Sequence, residues 1–169
     1  LVYGLGAIKN VGLEAIKNII EERENHGKFK SLIDFINRVN PKDINKLQLE
    51  GLVKAGVFDE FEIDRNKILT SIPKIIQKIK NINDDKENQQ SNLFDSQDTF
   101  KKDFEFLPSV PWSQKELLSE EFKSIGFYLT NHPLNEFDEV FNQLNIISFS
   151  QFYNDKFHEG MVAGTIMAI

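Results

Sequence analysis

The residues best placed for binding chemistry lie near the start of the chain, in the segment Lys9-Asn10-Val11-Gly12. Asn10 tolerates a left-handed backbone better than most residues, and Gly12 can adopt a positive φ without steric cost. The chain can therefore reverse here and leave backbone N–H groups exposed. These groups would come just before a helix N-terminus, where unpaired donors and the helix dipole favour a phosphate. Together with Lys9 and Lys17, they predict a phosphate contact that does not read sequence.

Two apolar segments of helical spacing position this turn. Leu5 and Ile8 precede it, and a helix over residues 13–26 follows it. The arrangement is that of a helix-hairpin-helix motif. A second pair of helices, beginning near Ser31 and Asp43, lacks a Gly-apolar-Gly turn. We interpret this second pair as a degenerate copy of the first that contributes packing more than contacts.

The middle of the chain predicts a helix and then a linker. Asp64 can cap a helix with one apolar stripe, in which Pro73 predicts a kink or a break. From Asn81 the composition turns polar, with too little apolar surface to offset the entropy of ordering, and we expect mobility over residues 83–103.

The last third predicts two helices and a strand-rich end. A capping box over residues 113–116 opens a helix that Gly126 ends, and a short helix follows from Asn135. The stretches 146–149 and 161–169 are typical of strands. The predicted fold class is therefore mainly α, with a truncated β stub at the end.

Composition bounds the class of protein. At 169 residues with 40% hydrophobic content, the chain can hold one medium domain or two small ones. It has no cysteine, which excludes disulfides and thiolate zinc sites and fits a reducing cytoplasm. No apolar run is long enough to span a membrane, so we expect no membrane partner. Because the chain lacks a starting Met and stops at Ile169 just after a β-rich run, we expect a fragment of a longer protein.

The net charge of −6 is unevenly distributed. Residues 1–58 contain 9 Lys and Arg against 7 Asp and Glu, whereas residues 59–169 contain 11 against 19. Any phosphate contact therefore belongs to the first part. The modest excess there predicts weak, salt-sensitive binding.

Catalytic patterns are missing from this sequence. His26, His132 and His158 are far apart and have no metal-ligand spacing. No Ser-His-Asp set or Gly-rich phosphate loop is visible, and the paired acidic residues fit solvated helix faces. We expect no catalytic residue, metal or cofactor in this segment.

Three blocks of sequence, over residues 3–12, 52–59 and 126–134, resemble the bacterial DNA polymerase III α subunit, a replicative polymerase. They occur in the family's order, and the resemblance covers nearly the whole chain. It implies a tandem helix-hairpin-helix, then a segment that binds the sliding clamp, then the start of an OB-fold. The family's catalytic carboxylates lie upstream and cannot be placed here, although the parent protein would be a DNA-directed DNA polymerase. The family's hairpin usually reads Gly-Val-Gly, where this chain has Asn10-Val11-Gly12.

The resemblance also implies site residues and partners. The hairpin residues, with Lys17, would hold duplex DNA as primer-template. Gln90, Leu93 and Phe94, within a pentapeptide in the polar spacer, would bind the sliding clamp, the β subunit. Other subunits of the replicative polymerase would be further partners, and the location would be cytoplasmic. The site residues expected for DNA are Lys9, Asn10, Val11, Gly12 and Lys17.

The predicted organisation has four parts. Residues 1–80 form the tandem helix-hairpin-helix domain, 81–112 a flexible linker with the clamp motif, 113–145 a helical connector and 146–169 the start of an OB-fold. Two other functions are open. One is a scaffold module whose hairpin touches only protein. The other is a repair glycosylase or ligase built on the same hairpin, although such a ligase would need a four-Cys zinc site and the chain has no cysteine.

Overall fold

A computed structural model describes residues 4–61, 64–88 and 104–166 of the chain. Contacts divide the chain into two compact units, residues 1–127 and 128–169. Within the described residues all regular structure is helical, which confirms the mainly α fold class.

The described residues of the first unit contain a 3-10 turn and five helices. The elements in chain order are the turn Leu5–Ala7 and the helices α1 (Leu13–His26), α2 (Leu32–Arg38), α3 (Lys46–Lys54), α4 (Arg65–Asn88) and α5 (Gln114–Ile125). Helix α4 packs against α2 and α3, and α5 packs against α3. Each of these helices contributes side chains to the hydrophobic core. The core includes Ile16, Ile19, Phe35, Ile36, Leu49, Leu52, Val53, Phe58, Ile68, Ile72, Ile75, Ile79 and Ile125.

Local capping fixes most of these boundaries. The Ser31 side chain accepts a hydrogen bond from Asp34 N–H, and Ser113 forms a reciprocal capping box with Glu116. Gly126 ends α5 in the left-handed region, with φ of 92°. These caps confirm the predicted starts of α2 and α5 and the predicted end of α5.

The segment predicted as a linker contains more structure than its composition suggested. Helix α4 runs through Pro73 without a break and continues to Asn88, beyond the predicted start of the linker at Asn81. Its Ile79 is 2% exposed, so the apolar stripe still packs on the core close to this point. The predicted break is therefore wrong, and residues 81–88 are helical.

Residues 104–112, here called the strap, lie along α4. Leu107 N–H donates to Ser71 Oγ at 2.8 Å, and Asn66 Nδ2 donates to the Val110 carbonyl at 2.7 Å. The Lys74 ammonium donates to the Glu105 carbonyl at 2.6 Å. These bonds hold the strap on the first unit.

Arg38 joins the end of α1 to α2. Its guanidinium bonds Glu22 Oε1 at 2.8 Å and the Gly27 carbonyl at 2.9 Å, and it lies 4.3 Å from the centre of the Phe29 ring. The hydrogen bond from Arg38 lowers the pKa of Glu22 below its ordinary value. Arg38 thus caps the carbonyl end of α1 as well as pairing with a carboxylate.

The second unit contains a 3-10 turn, Asn135–Phe137, and the helices α6 (Asp138–Gln143) and α7 (Phe149–Asn154). The strand predicted at 146–149 is wrong, because the Ser148 hydroxyl accepts from Gln151 N–H and α7 begins at Phe149. Residues 161–166 form no strand either, although Ile147 N–H donates to the Met161 carbonyl. A strand needs a neighbouring strand for its backbone groups, and the described residues provide none.

Candidate nucleic-acid interface

The predicted hairpin is a tight turn with one left-handed residue. Asn10 has φ of 66°, and Val11 N–H donates to the Ile8 carbonyl across the turn. Gly12 has φ of −70° and ψ of 139°, the extended conformation of a helix N-cap. The predicted left-handed residue is therefore confirmed at Asn10, whereas a positive φ at Gly12 is wrong. On the N-terminal side, the expected helix is only a 3-10 turn in the described residues.

The N-terminus of α1 has free donors. Gly12 has no side chain to cap the helix, so the N–H groups of the first turn receive no capping oxygen from the N-cap residue. Lys9, Asn10 and Gly12 are exposed beside these groups, while Val11 is 8% exposed and belongs to the core. Lys17 is exposed one turn along α1. The five predicted residues are thus together at one end of α1, with Val11 in a packing role.

Two of the hairpin's backbone donors are already used. Lys9 N–H donates to the Ser124 carbonyl of α5 at 2.9 Å, and Val11 N–H closes the turn. Any phosphate would therefore meet the N–H groups after the turn and the Lys9 side chain. Glu14 lies in the first turn of α1, where its charge opposes an anion. The positive charges of Lys9 and Lys17 therefore have to exceed this repulsion.

Glycine positions α3 against this hairpin. A Cβ built on Gly51 would lie 2.8 Å from the Lys9 carbonyl oxygen and 3.2 Å from Val11 Cγ2. Only glycine permits this approach without moving backbone. Sequence reasoning missed Gly51 and Ser124 as supports of the hairpin. A glycine inside a predicted helix was the available signal, since it is unfavourable there unless packing requires it.

Three lysines from three elements surround a depression beside the hairpin. The depression has a volume of about 140 Å³, and its lining includes Lys9, Lys54 and Lys123. The lining also includes Glu50, whose carboxylate lies 3.8 Å from the Lys46 ammonium. Glu120 Oε2 lies 2.9 Å from the Lys54 ammonium, and Glu120 Oε1 lies 2.5 Å from that of Lys123. Burial alone would raise the pKa of Glu120, but the hydrogen bonds from the two lysines lower it. Glu120 is therefore ionised at neutral pH and neutralises part of the lysine charge.

A buried arginine fixes α5, and with it Ser124. Arg65, at 5% exposed, donates to both oxygens of Asp59 at 2.9 and 2.7 Å. It also donates to the Lys54 carbonyl at 2.9 Å and to Glu121, which is fully buried, at 3.2 Å. Desolvation by itself lowers the pKa of Arg65, but the hydrogen bonds that it donates to Asp59 and Glu121 raise it. This cluster connects α3, α4 and α5.

Gln90, Leu93 and Phe94 lie outside the described residues, so the clamp motif stays a prediction. In the described part of the chain, no group of three or more His, Asp or Glu side chains could hold a metal ion. His132 accepts from Leu134 N–H in a bend, as its position predicted. None of the described helices combines the length and apolar character needed to cross a membrane.

Comparison with known proteins places the chain in a family. A family model described as a helix-hairpin-helix motif matches residues 1–68. DNA polymerase III subunit alpha of Rickettsia bellii is 37% identical over 170 residues, which cover 98% of this chain and 14% of that protein. The subunits of Caulobacter vibrioides and Buchnera aphidicola are 37% and 36% identical over 80% and 100% of this chain, and 12% and 15% of their own lengths.

The chain therefore spans about 14% of the length of the first of these relatives. The match extends through both compact units, well past the residues of the helix-hairpin-helix motif. By its sequence, the chain belongs to the family of DNA polymerase III α subunits.

Proposed function

We propose that this chain is a noncatalytic region of a replicative DNA polymerase that holds duplex DNA through the phosphate backbone. The observation that supports this most directly is the end of α1. An uncapped helix N-terminus, the exposed left-handed Asn10 and the exposed Lys9 and Lys17 lie together there. Such a site binds phosphate through N–H donors, the helix dipole and cationic side chains, and it contacts no base edge.

The test is fluorescence anisotropy of the whole chain with a labelled duplex of arbitrary sequence. The parent is expected to bind at low salt with no sequence preference. Lys9→Gln/Lys17→Gln should bind more weakly, and its slope of log K against log salt should be flatter by about 1.8 if each lysine neutralises one phosphate. Lys28→Gln/Lys115→Gln is the matched control, because both lysines are exposed. Equal binding by the hairpin variant and the parent would refute the proposal.

The same proposal includes attachment to the ring-shaped sliding clamp through Gln90, Leu93 and Phe94. Two adjacent large apolar side chains can fill an apolar pocket, while the Gln90 amide bonds polar groups at its rim. Each anchor would contribute about 1.5–3 kcal/mol when buried. The remaining subunits of the polymerase and a cytoplasmic location belong to the same proposal.

Surface binding to the clamp of the same organism tests this part. Leu93→Ala/Phe94→Ala should lose about 3–6 kcal/mol, a drop of several hundredfold or more. Phe100→Ala removes an aromatic side chain from the same spacer and should bind as the parent does. If the double variant keeps full affinity, the clamp contact lies elsewhere.

A scaffold role, with the hairpin touching only protein, is the competing function. The first titration separates the two, because a scaffold would not bind duplex DNA in a salt-dependent manner.

A further inference from the structure

Two of the three lysines beside the hairpin share one carboxylate, that of Glu120. Lys54 is in the last turn of α3 and Lys123 in the last turn of α5, and both ammonium groups meet Glu120. The side chain of Lys54 is 27% exposed and that of Glu120 is 19% exposed, so neither is a fully solvated surface charge. Interactions between partly buried charges are screened less than those at the open surface.

The depression also opens onto the hairpin. Lys9 lines it from the turn, and no ion pair of Lys9 occurs with a described residue. The turn is held next to α3 and α5, because Lys9 N–H donates to the Ser124 carbonyl and the Lys9 carbonyl packs on Gly51. Three cationic side chains are therefore held at one opening by backbone contacts between their elements.

We propose that Lys9, Lys54 and Lys123 form a second phosphate-binding surface beside the hairpin, and that Glu120 occupies the place of the phosphate in the free protein. The proposal rests on the DNA contact proposed above and extends it from the end of α1 to the ends of α3 and α5. A phosphodiester of the duplex that enters the depression would replace the Glu120 carboxylate as the anion between Lys54 and Lys123.

Replacing the Glu120 carboxylate by a phosphate has both favourable and unfavourable consequences. The two lysines leave one carboxylate and meet phosphate oxygens, so the number of charge-assisted hydrogen bonds can be kept. Each neutralised phosphate also releases condensed counterions, which favours binding at low salt. Glu120 then faces the incoming anion without its partners, and this repulsion weakens binding. Removing its charge should therefore strengthen the complex.

A purely structural role for these lysines makes a different prediction. Lysines in the last turn of a helix interact favourably with the helix dipole, and the Lys54–Glu120 pair connects α3 to α5. If this were their whole role, changing them would alter the stability of the fold and leave the salt dependence of DNA binding as it is. The salt slope is therefore the deciding measurement.

The experiment is a salt series of anisotropy titrations of the full chain with a labelled random-sequence duplex. Glu120→Gln should bind several-fold more tightly than the parent. Glu24→Gln makes the same change in net charge at an exposed site on α1 and serves as its control. Lys54→Gln/Lys123→Gln should bind at least tenfold more weakly and flatten the slope by about 1–2. Lys54→Arg/Lys123→Arg should restore both values.

Exposed Lys115, on the same helix as Lys123, provides the control Lys115→Gln. Urea unfolding of every variant shows whether the fold is kept. The inference is overturned if Lys54→Gln/Lys123→Gln is folded and matches the parent in affinity and slope while Lys9→Gln/Lys17→Gln loses binding; the hairpin proposal then stands. If the parent itself binds no duplex, both proposals fail.

Discussion

Replacing Arg65 by methionine is the sharpest test of how the first unit is held together. Its guanidinium donates hydrogen bonds to Asp59, the Lys54 carbonyl and Glu121, and the side chain is almost fully buried. Arg65→Met keeps an unbranched apolar stem of similar reach but removes every donor. It also leaves the fully buried Glu121 without its guanidinium.

The expected loss follows from that last point. Removing one partner of a buried ion pair costs about 3–5 kcal/mol, because the buried charge that remains loses that partner. Domains of this size are stable by about 5–15 kcal/mol, so the variant should unfold at a much lower urea concentration. The double variant Arg65→Met/Glu121→Met removes both charges and should recover a large part of the loss, since apolar pairs replace buried ion pairs at little net cost.

Urea unfolding monitored by circular dichroism measures both variants against Glu121→Met alone. The three values complete a double-mutant cycle for the pair. A loss below about 1 kcal/mol in Arg65→Met would contradict the role assigned to its charge. A loss of stability in the double variant equal to the sum of the losses in the two single variants would contradict it as well. DNA affinity should fall with Arg65→Met as well, because α5 carries the Ser124 carbonyl that holds Lys9 N–H.

Three further outcomes are expected. Gly51→Ala places a Cβ 2.8 Å from the Lys9 carbonyl oxygen. It should lower the free energy of unfolding in urea by about 1–3 kcal/mol and weaken duplex binding. An unchanged stability and affinity would refute the close approach. Because the pKa values of Glu22 and Glu120 are lowered in the folded chain, stability should be constant above about pH 5 and fall as the pH drops below about 4.3. Glu120→Gln should lose less stability than the parent at acid pH in the same urea series. An equal loss would show that Glu120 does not contribute to the acid sensitivity.

The helix starts and ends were predictable because their signals are local. Each signal acts within one helical turn, so all of its residues are close together in the sequence. The examples are Ser31 with Asp34, the Ser113 capping box and Gly27 after α1. The start of α3 was placed too early because its capping box joins Asn45 and Gln48, inside the segment predicted as helix. A cap that lies within an apolar pattern is easily missed.

The supports of the candidate site were not predictable for the opposite reason. Arg65 and Glu121 are 56 positions apart, and Lys9 reaches Ser124 across almost the whole first unit. No periodicity connects such residues, since the pairing is set by how α5 docks on α3. Composition also misled at residues 81–88, where polar residues continue a helix whose preceding turns are anchored by Ile75 and Ile79.

The strap constrains how the proposed clamp contact could work. Helix α4 ends at Asn88, and the strap begins at Phe104, whose ring lies 5.5 Å from the Lys74 ammonium on the same helix. The described residues on both sides of the segment 89–103 therefore belong to one unit. Six residues separate Asn88 from Phe94, and at 3.3–3.6 Å per residue the peptide reaches at most about 20 Å from the end of α4.

A clamp held at that peptide would be tethered within this reach of the unit that carries the hairpin. Binding at one site would raise the effective concentration of the other partner, because a short tether converts the second contact into an intramolecular one. Under these two proposals a weak, salt-sensitive hairpin contact would be sufficient, since the clamp would keep the duplex close while the hairpin exchanged one phosphate for the next. The modest positive charge of residues 1–58 fits such a shared grip.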